Sequence, residues 1–502
     1  MIILDEDLDS GQTKTDSDNY PGLTLRHPQA VHARSSTSTL PDYDTSEAQH
    51  RKVITRSTLS LGNFSARVWK IVIGVLLGYT VLSLAIGLPI ILLKGRDRDD
   101  SFSLAPTSSL WVSEDVVLPG PLQLATTGIP TTTNNMTCNI WDTHPDIENT
   151  QFARFQLPPQ GLITIRSNVT YEKVAADNIN GTLWVYMNQD KKEKDIIFNV
   201  SMKSSSNNVR LQTNVCFSEQ GSSRGLTIYV PDTLGVGDLL TFNVLALLPQ
   251  RKASIDQFLV YLPLLEHRIG YVQKQIEVTQ FTLEGAARPM SCEFLQACQI
   301  TFKNIMGSIT GSFNVSNSLT LDTIKASIHS NITLTQGRLS PKPVILSMDT
   351  GDGDIDASIV LEALSPIPRW QNSPAFVAYV KTFNQPLHLN VSYANSSCSA
   401  PVQLQVQNNM CRTTVALDET FQGSFSAQSK LSQTNVQDTV SERAVSPFGG
   451  SRTIVYDQKT INRATGWVGW GQRPLSHQLL VRSYVEILSA LSPVNLTFGG
   501  PT

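Results

Sequence analysis

Five times between Ile300 and Val494 the chain repeats one short pattern. An apolar residue alternates with any residue twice, and a small or polar residue follows. After three intervening residues comes a second small or polar residue, then an apolar one. The copies are ITFKNIMGSI, LTLDTIKASI, LSMDTGDGDI, AYVKTFNQPL and VEILSALSPV, with Asn304, Thr323, Thr350, Thr382 and Ser489 at the first small or polar position. The first four of these positions are 19, 27 and 32 residues apart. Period-two alternation is strand texture, so each copy reads as strand, corner, strand. A single unit cannot bury its own inner face, and stacking on its neighbours does so. The repeat therefore predicts an irregular β-solenoid or stacked β-sheet roll over 290–502.

The stretch before it, 137–289, has the same texture without the repeat. LITIRSNV, TLWVYM, IIFNVSM, VRLQTNV, LTIYVP, LLTFNVLALLP and QIEVTQFTL read as strands separated by turn residues, and no long stretch has helical periodicity. The fold expected from 137 onward is all-β.

What precedes it is different. Ile71–Leu93 is a run of 23 uncharged residues, long enough to span a hydrocarbon core of about 30 Å as a helix. It predicts one transmembrane signal-anchor helix over 68–93, with the lipid bilayer as its partner. Arg51, Lys52, Arg56, Arg67 and Lys70 precede it, against Lys94, Arg96 and Arg98 after it, which favours an N-terminus inside. All six cysteines and nine sequons follow the span (Asn135, Asn168, Asn180, Asn199, Asn314, Asn331, Asn390, Asn395 and Asn495), and only the sequon at Asn63, close to the bilayer, precedes it. That one-sidedness fits an oxidising, glycosylating compartment, so the C-terminal part is expected to be extracellular or luminal, at the plasma membrane or in the secretory pathway. Asn331 and Asn390 fall eight residues after the Thr of their copies and are expected to face solvent. Residues 1–67, rich in Ser, Thr and Asp, read as a disordered cytoplasmic tail; Tyr43, Thr45 and Ser46 sit among acids there. Residues 94–136 read as a Ser/Thr/Pro-rich stalk. The net charge of −3 offers nothing to nucleic acid.

Few residues carry chemistry. DTGDGDID places Asp352, Asp354 and Asp356 at the corner of one repeat copy. Gly351 and Gly353 suit a tight turn with φ > 0, and the alternating aspartates could share one face. The spacing resembles the start of an EF-hand loop, but the closing Glu and flanking helices are missing. The segment reads first as a turn, second as a calcium site and last as a catalytic cluster. No other cofactor is implied. TGWVGWGQ sets Trp467 and Trp470 among glycines, either packed over the solenoid end or exposed to stack on sugars. GSSRG matches a nucleophile elbow around Ser223, but a strand rather than a helix follows it. His144, His267, His329, His388 and His477 show no paired spacing. Sequence proximity favours Cys292–Cys298 and Cys398–Cys411, leaving Cys138–Cys216, among the 15 pairings that six cysteines allow.

The LPDYDTSEAQH tail, the span, the stalk, GLTIYVP, FNVLALLP and NIMGSITGSFNVSNSLTLDTIKASI together resemble a group of uncharacterised fungal single-pass membrane proteins, chiefly of basidiomycetes. Their extracellular part is similar to an adhesin-like domain with a right-handed β-solenoid-like fold. That likeness covers roughly 290–502. The resemblance implies a non-enzymatic glycoprotein presenting a β-rich domain to cell-wall polysaccharide or a surface protein, and it brings no catalytic residues. A carbohydrate-active, pectin-lyase-like solenoid enzyme and a structural wall–membrane tether are the alternatives. The enzyme would need the three aspartates in a groove with a nearby Lys or Arg.

Overall fold

Inward-facing side chains recur at every second residue along the chain, and the strands they define stack in register. The computed structural model describes residues 131–133, 136–142, 150–169, 178–218, 224–231, 233–250, 253–272, 276–337, 342–365, 373–394, 400–440 and 451–499. The expected cytoplasmic tail, the transmembrane helix over 68–93 and nearly all of the stalk lie outside the described residues, as do Ser223, His144 and Cys398. Among the described residues no helix is long and apolar enough to cross a membrane. They belong to a unit spanning 119–502.

The described strands are all-β apart from two six-residue helices, Asn207–Gln212 and His477–Arg482. They run in two stacked layers. Sheet 1 contains Leu162–Ser167, Ala253–Tyr261, Ile276–Glu284, Val344–Thr350, Phe376–Thr382 and Val402–Asn408. Sheet 2 contains Ile179–Met187, Glu266–Val272, Ile328–Gln336, Ile355–Ala363, Leu387–Tyr393 and Thr413–Leu417. Two 15-residue strands, Met290–Asn304 and Ile309–Thr323, run through both layers and join them. From Asn304 onward, each rung passes from sheet 1 around a four-residue corner into sheet 2. Neighbouring rungs pair in parallel, as a solenoid requires.

The core lies between the layers. Phe302 of sheet 1 meets Phe313 of sheet 2 edge-on at 5.2 Å, and Phe425 meets Phe498 at 5.5 Å. Inward rows such as Phe302, Leu321, Met348, Val380, Val406 and Ile487 are buried throughout.

The first small or polar residue of the repeat has a structural cause. Asn304, Thr323, Thr350, Thr382, Asn408 and Ser489 stack in one inward row at the corner, all buried. Each must satisfy its own polar group, and together they tie successive corners. Thr323 Oγ1 donates to Ala326 O at 2.6 Å, the Gly353 N–H donates to Thr350 Oγ1 at 3.0 Å, and Thr382 Oγ1 donates to Gly353 O at 2.8 Å. Asn304 and Asn408 reach back to the carbonyls of Arg288 and Gln385. Asn408 and Ser429 head two further copies that the sequence pattern missed, because the apolar residue that closes the pattern is replaced by Thr413 in one and Thr434 in the other.

The stack ends in antiparallel pairing. Thr150–Leu157 and Ile196–Ser204 close sheet 2 at one end, while Asn214–Ser218 and Met136–Cys138 close sheet 1. At the other end a hairpin, Arg452–Lys459 with Arg463–Trp470, pairs antiparallel with Gly423–Ser429. The order of rungs there departs from the order of the chain. The rung Tyr484–Ser489 and Val494–Phe498 sits between the 402–417 rung and the 423–438 rung, pairing with both.

Two expectations are corrected. VRLQ is not strand but the end of a short helix, because Ser206 caps it by accepting the Val209 N–H at 3.3 Å. Cys292 and Cys298 carry free thiols. They lie on the single strand Met290–Asn304, six residues or about 20 Å apart when extended, beyond disulfide reach. Cys138–Cys216 is bonded and ties Met136–Cys138 to Asn214–Ser218. The Cys398–Cys411 pairing involves a residue outside those described.

Candidate functional site

The acidic corner is a turn first. Gly351–Asp354 occupies the four-residue corner between Val344–Thr350 and Ile355–Ala363. Neither glycine has positive φ. Gly353 is required instead by close approach, since a Cβ there would lie 1.8 Å from Ala326 O of the preceding corner.

The aspartates spread along the outside. Asp352 Oδ1 accepts from Asn384 Nδ2 at 3.0 Å. Asp354 Oδ2 lies 3.2 Å from His329 Nε2, and Asp356 Oδ1 lies 3.3 Å from His388 Nδ1. Among the described residues, no group of three His, Cys, Asp or Glu is arranged to hold a metal. Asp352 and Asp354 do line a shallow groove of about 470 Å³ along the stacked corners, with Lys325 in its wall. Asp356 is not part of that lining. His329, Asp356 and His388 share one register position on three neighbouring rungs. The pairing was legible in hindsight: the histidines are 59 residues apart, the sum of the 27- and 32-residue repeat offsets.

The outer face of sheet 1 carries a denser array. Tyr261, Glu284, Lys303, Asp322, Asp349 and Lys381 take the same register position on successive strands, so their backbones are spaced by about 4.8 Å. Glu284 and Lys303 are 9% and 7% exposed. Burial pushes the Glu284 carboxyl up to about 7, partly opposed by the Lys303 charge. It pushes Asp322 up to about 6, again against Lys303. It raises Asp349 to about 7, with Lys381 opposing and Asp322 adding to the rise. Burial also lowers Lys381, against the pull of Asp349. Burial thus moves all three carboxyls towards neutrality, the range in which a general acid or a hydrogen-bond donor works. Nothing short-range in the sequence marks the row, since its members are 19 to 32 residues apart and meet only through the rung register.

Sequons segregate. Asn180, Asn199, Asn314, Asn331, Asn390 and Asn495 all lie on strands of sheet 2 or its continuation, with side chains exposed or partly exposed. Asn331 and Asn390 share one outer row, as expected for solvent-facing positions. Asn168 follows a sheet 1 strand, and its amide is engaged with the Val230 N–H at 2.8 Å and the Val230 carbonyl at 3.0 Å. Asn135 and Asn395 lie outside the described residues.

Trp467 is 1% exposed and Trp470 7%, so neither indole offers an open face to a sugar. Both pack in the hairpin over the solenoid end, where Arg452 lies 5.4 Å above the Trp470 ring. His267 is fully buried and stays neutral, its basicity lowered to about 3 by desolvation.

No family model matches the chain, and no curated protein matches it. Among solved structures, that of a proposed cell adhesion protein from Clostridium sporogenes aligns with 70% of this chain and 99% of its own, at 8% identity and a TM-score of 0.16.

Proposed function

We propose that the chain is a non-enzymatic, single-pass membrane glycoprotein, N-terminus inside, whose solenoid presents a recognition face to cell-wall polysaccharide or a surface protein. The uncharged run Ile71–Leu93 and the one-sided cysteines support the topology. The observation that carries the recognition reading is the segregation of sequons. Six lie on sheet 2, while the strands of sheet 1 carry none among the described residues. Glycans hold other macromolecules away, so a face kept clear of them is free to bind one. The clear face offers Gln299, Gln403 and Gln405, a Thr282–Thr301–Thr320 row and the aromatic ring of Tyr379 at rung spacing. Such a ladder of donors and acceptors suits an extended polymer.

Cells displaying the full-length chain should adhere to at least one wall polysaccharide in a panel, with no release of reducing or unsaturated ends. Loss of adhesion in chelator would assign Asp352, Asp354 and Asp356 to calcium. No adhesion to any polymer or cell surface would sink the recognition reading and leave a structural tether. A carbohydrate-active enzyme is the second reading, favoured by the raised carboxyls of Glu284, Asp322 and Asp349 beside Lys303 and Lys381. Released ends that vanish in Asp349→Asn would establish it.

A further inference from the structure

We infer that the N-glycan on Asn199 is held by the protein itself, its first two sugars lying in an aromatic cleft on sheet 2. This rests on the secretory topology proposed above.

The cleft has a volume of about 710 Å³ and is lined by Trp184, Tyr186, Leu245, Asn243 and both ends of the sequon Asn199-Val200-Ser201. These residues face outward by the alternation of their strands, between buried Leu183, Val185, Val200, Val244 and Ala246. Register fixes the layout. Asn199 stands opposite Leu245, and Leu245 opposite Trp184. The asparagine and the indole are thus two strand spacings apart, about 10 Å, the reach of two linked pyranose rings. Tyr186 lies flat against the sheet because residue 270 is glycine. A Cβ there would fall 2.2 Å from the tyrosine ring. Trp184 and Tyr186 therefore form a platform of the kind sugar faces stack on, with Leu245 as its apolar floor. Arg154 and Asp142 stand on the same wall and suit sugar hydroxyls.

Attachment itself is ordinary transfer. Asn199 Nδ2 forms a bond to C1 of the reducing-end N-acetylglucosamine of a lipid-diphosphate-linked oligosaccharide, loses one proton, and the lipid diphosphate leaves. What the structure adds is the seat. A sequon opening into an aromatic cleft commits the cleft to its own glycan before any free sugar reaches it.

The test uses full-length protein made in a glycosylating host and kept native in detergent. An endoglycosidase that cuts between the two proximal sugars is added, and release is followed site by site by glycopeptide mass spectrometry. The Asn199 glycan should be released about tenfold more slowly than those on Asn331 and Asn390, a ratio equal to about 1.4 kcal/mol. Trp184→Ala should abolish the protection, and Leu245→Asp serves as a second variant should the first fail to fold. Release of the Asn199 glycan as fast as the others overturns the inference and leaves the topology standing. So does an unmodified Asn199 beside occupied Asn331 and Asn390. Absence of glycan from every sequon instead overturns the topology on which both rest.

Discussion

The two outer faces of the solenoid are built from the same rungs and obey different rules. Sheet 2 displays sequons and the exposed His329–Asp356–His388 row, where His329 contacts Asp354 and His388 contacts Asp356 in solvated pairs that contribute little energy. Sheet 1 displays no strand sequon among the described residues and a row of charges largely withdrawn from water. A stacked-rung core fixes only the inward half of each strand. The outward half is free to diverge, and here it has diverged by face. The fold explains the core, and the asymmetry between faces is where function is to be sought.

The comparison breaks most readily by moving a glycan. Gln405→Asn with Gln407→Thr creates a sequon in the middle of the clear face, on two exposed positions. Adhesion of displaying cells should fall to background, with folding retained by circular dichroism; unchanged adhesion would move the recognition face elsewhere. Trp467→Ala tests the end cap rather than a face. Removing a fully buried indole should cost about 3–5 kcal/mol of stability in denaturant unfolding. A stable variant that loses sugar binding alone would restore the stacking role for that tryptophan.

Thr350→Val addresses the corner that both faces share. It strips the acceptor from the Gly353 N–H and should destabilise by about 1–3 kcal/mol, whichever face is assayed. The raised carboxyls of sheet 1 give a pH signature. Acids whose folded values are raised to about 7, 6 and 7 bind more protons in the native state than in the unfolded one. Their ionisation therefore opposes folding: the cost is absent below about pH 4 and grows up to about pH 7. The melting temperature should fall between pH 5 and pH 8, and Asp349→Asn should flatten the slope. The smallest effect belongs to sheet 2, where Asn331→Gln and Asn390→Gln should leave adhesion and stability nearly unchanged.

How much of this the sequence disclosed depends on the range of each cause. The corner repeat was legible because its cause is local: two alternating strands and a buried polar residue fall within ten positions. Asn408 and Ser429 escaped because Thr413 and Thr434 stand where the other copies close on Ile, Leu or Val. Cys292 and Cys298 misled because proximity in sequence suggests a loop, whereas a 15-residue strand holds them apart. Trp467 and Trp470 were ambiguous for a related reason, since glycine-rich surroundings suit an exposed loop and a tight hairpin equally. The Glu284-to-Lys381 row and the Trp184 cleft were invisible because each is assembled from strands whose register is fixed only once the rungs stack.

The rung at 484–498 lies between one that precedes it by some seventy residues and another, at 423–438, that is also made before it. From the 253–272 rung onward, a polypeptide emerging from its N-terminal side can zip each rung onto the last as far as 417. There it must stop. The 423–438 segment and the tryptophan hairpin attached to it have no final seat until later residues arrive and wedge themselves in. Completion is thus a closing step taken after synthesis of the stack rather than during it, with a half-open end that a chaperone can read as unfinished.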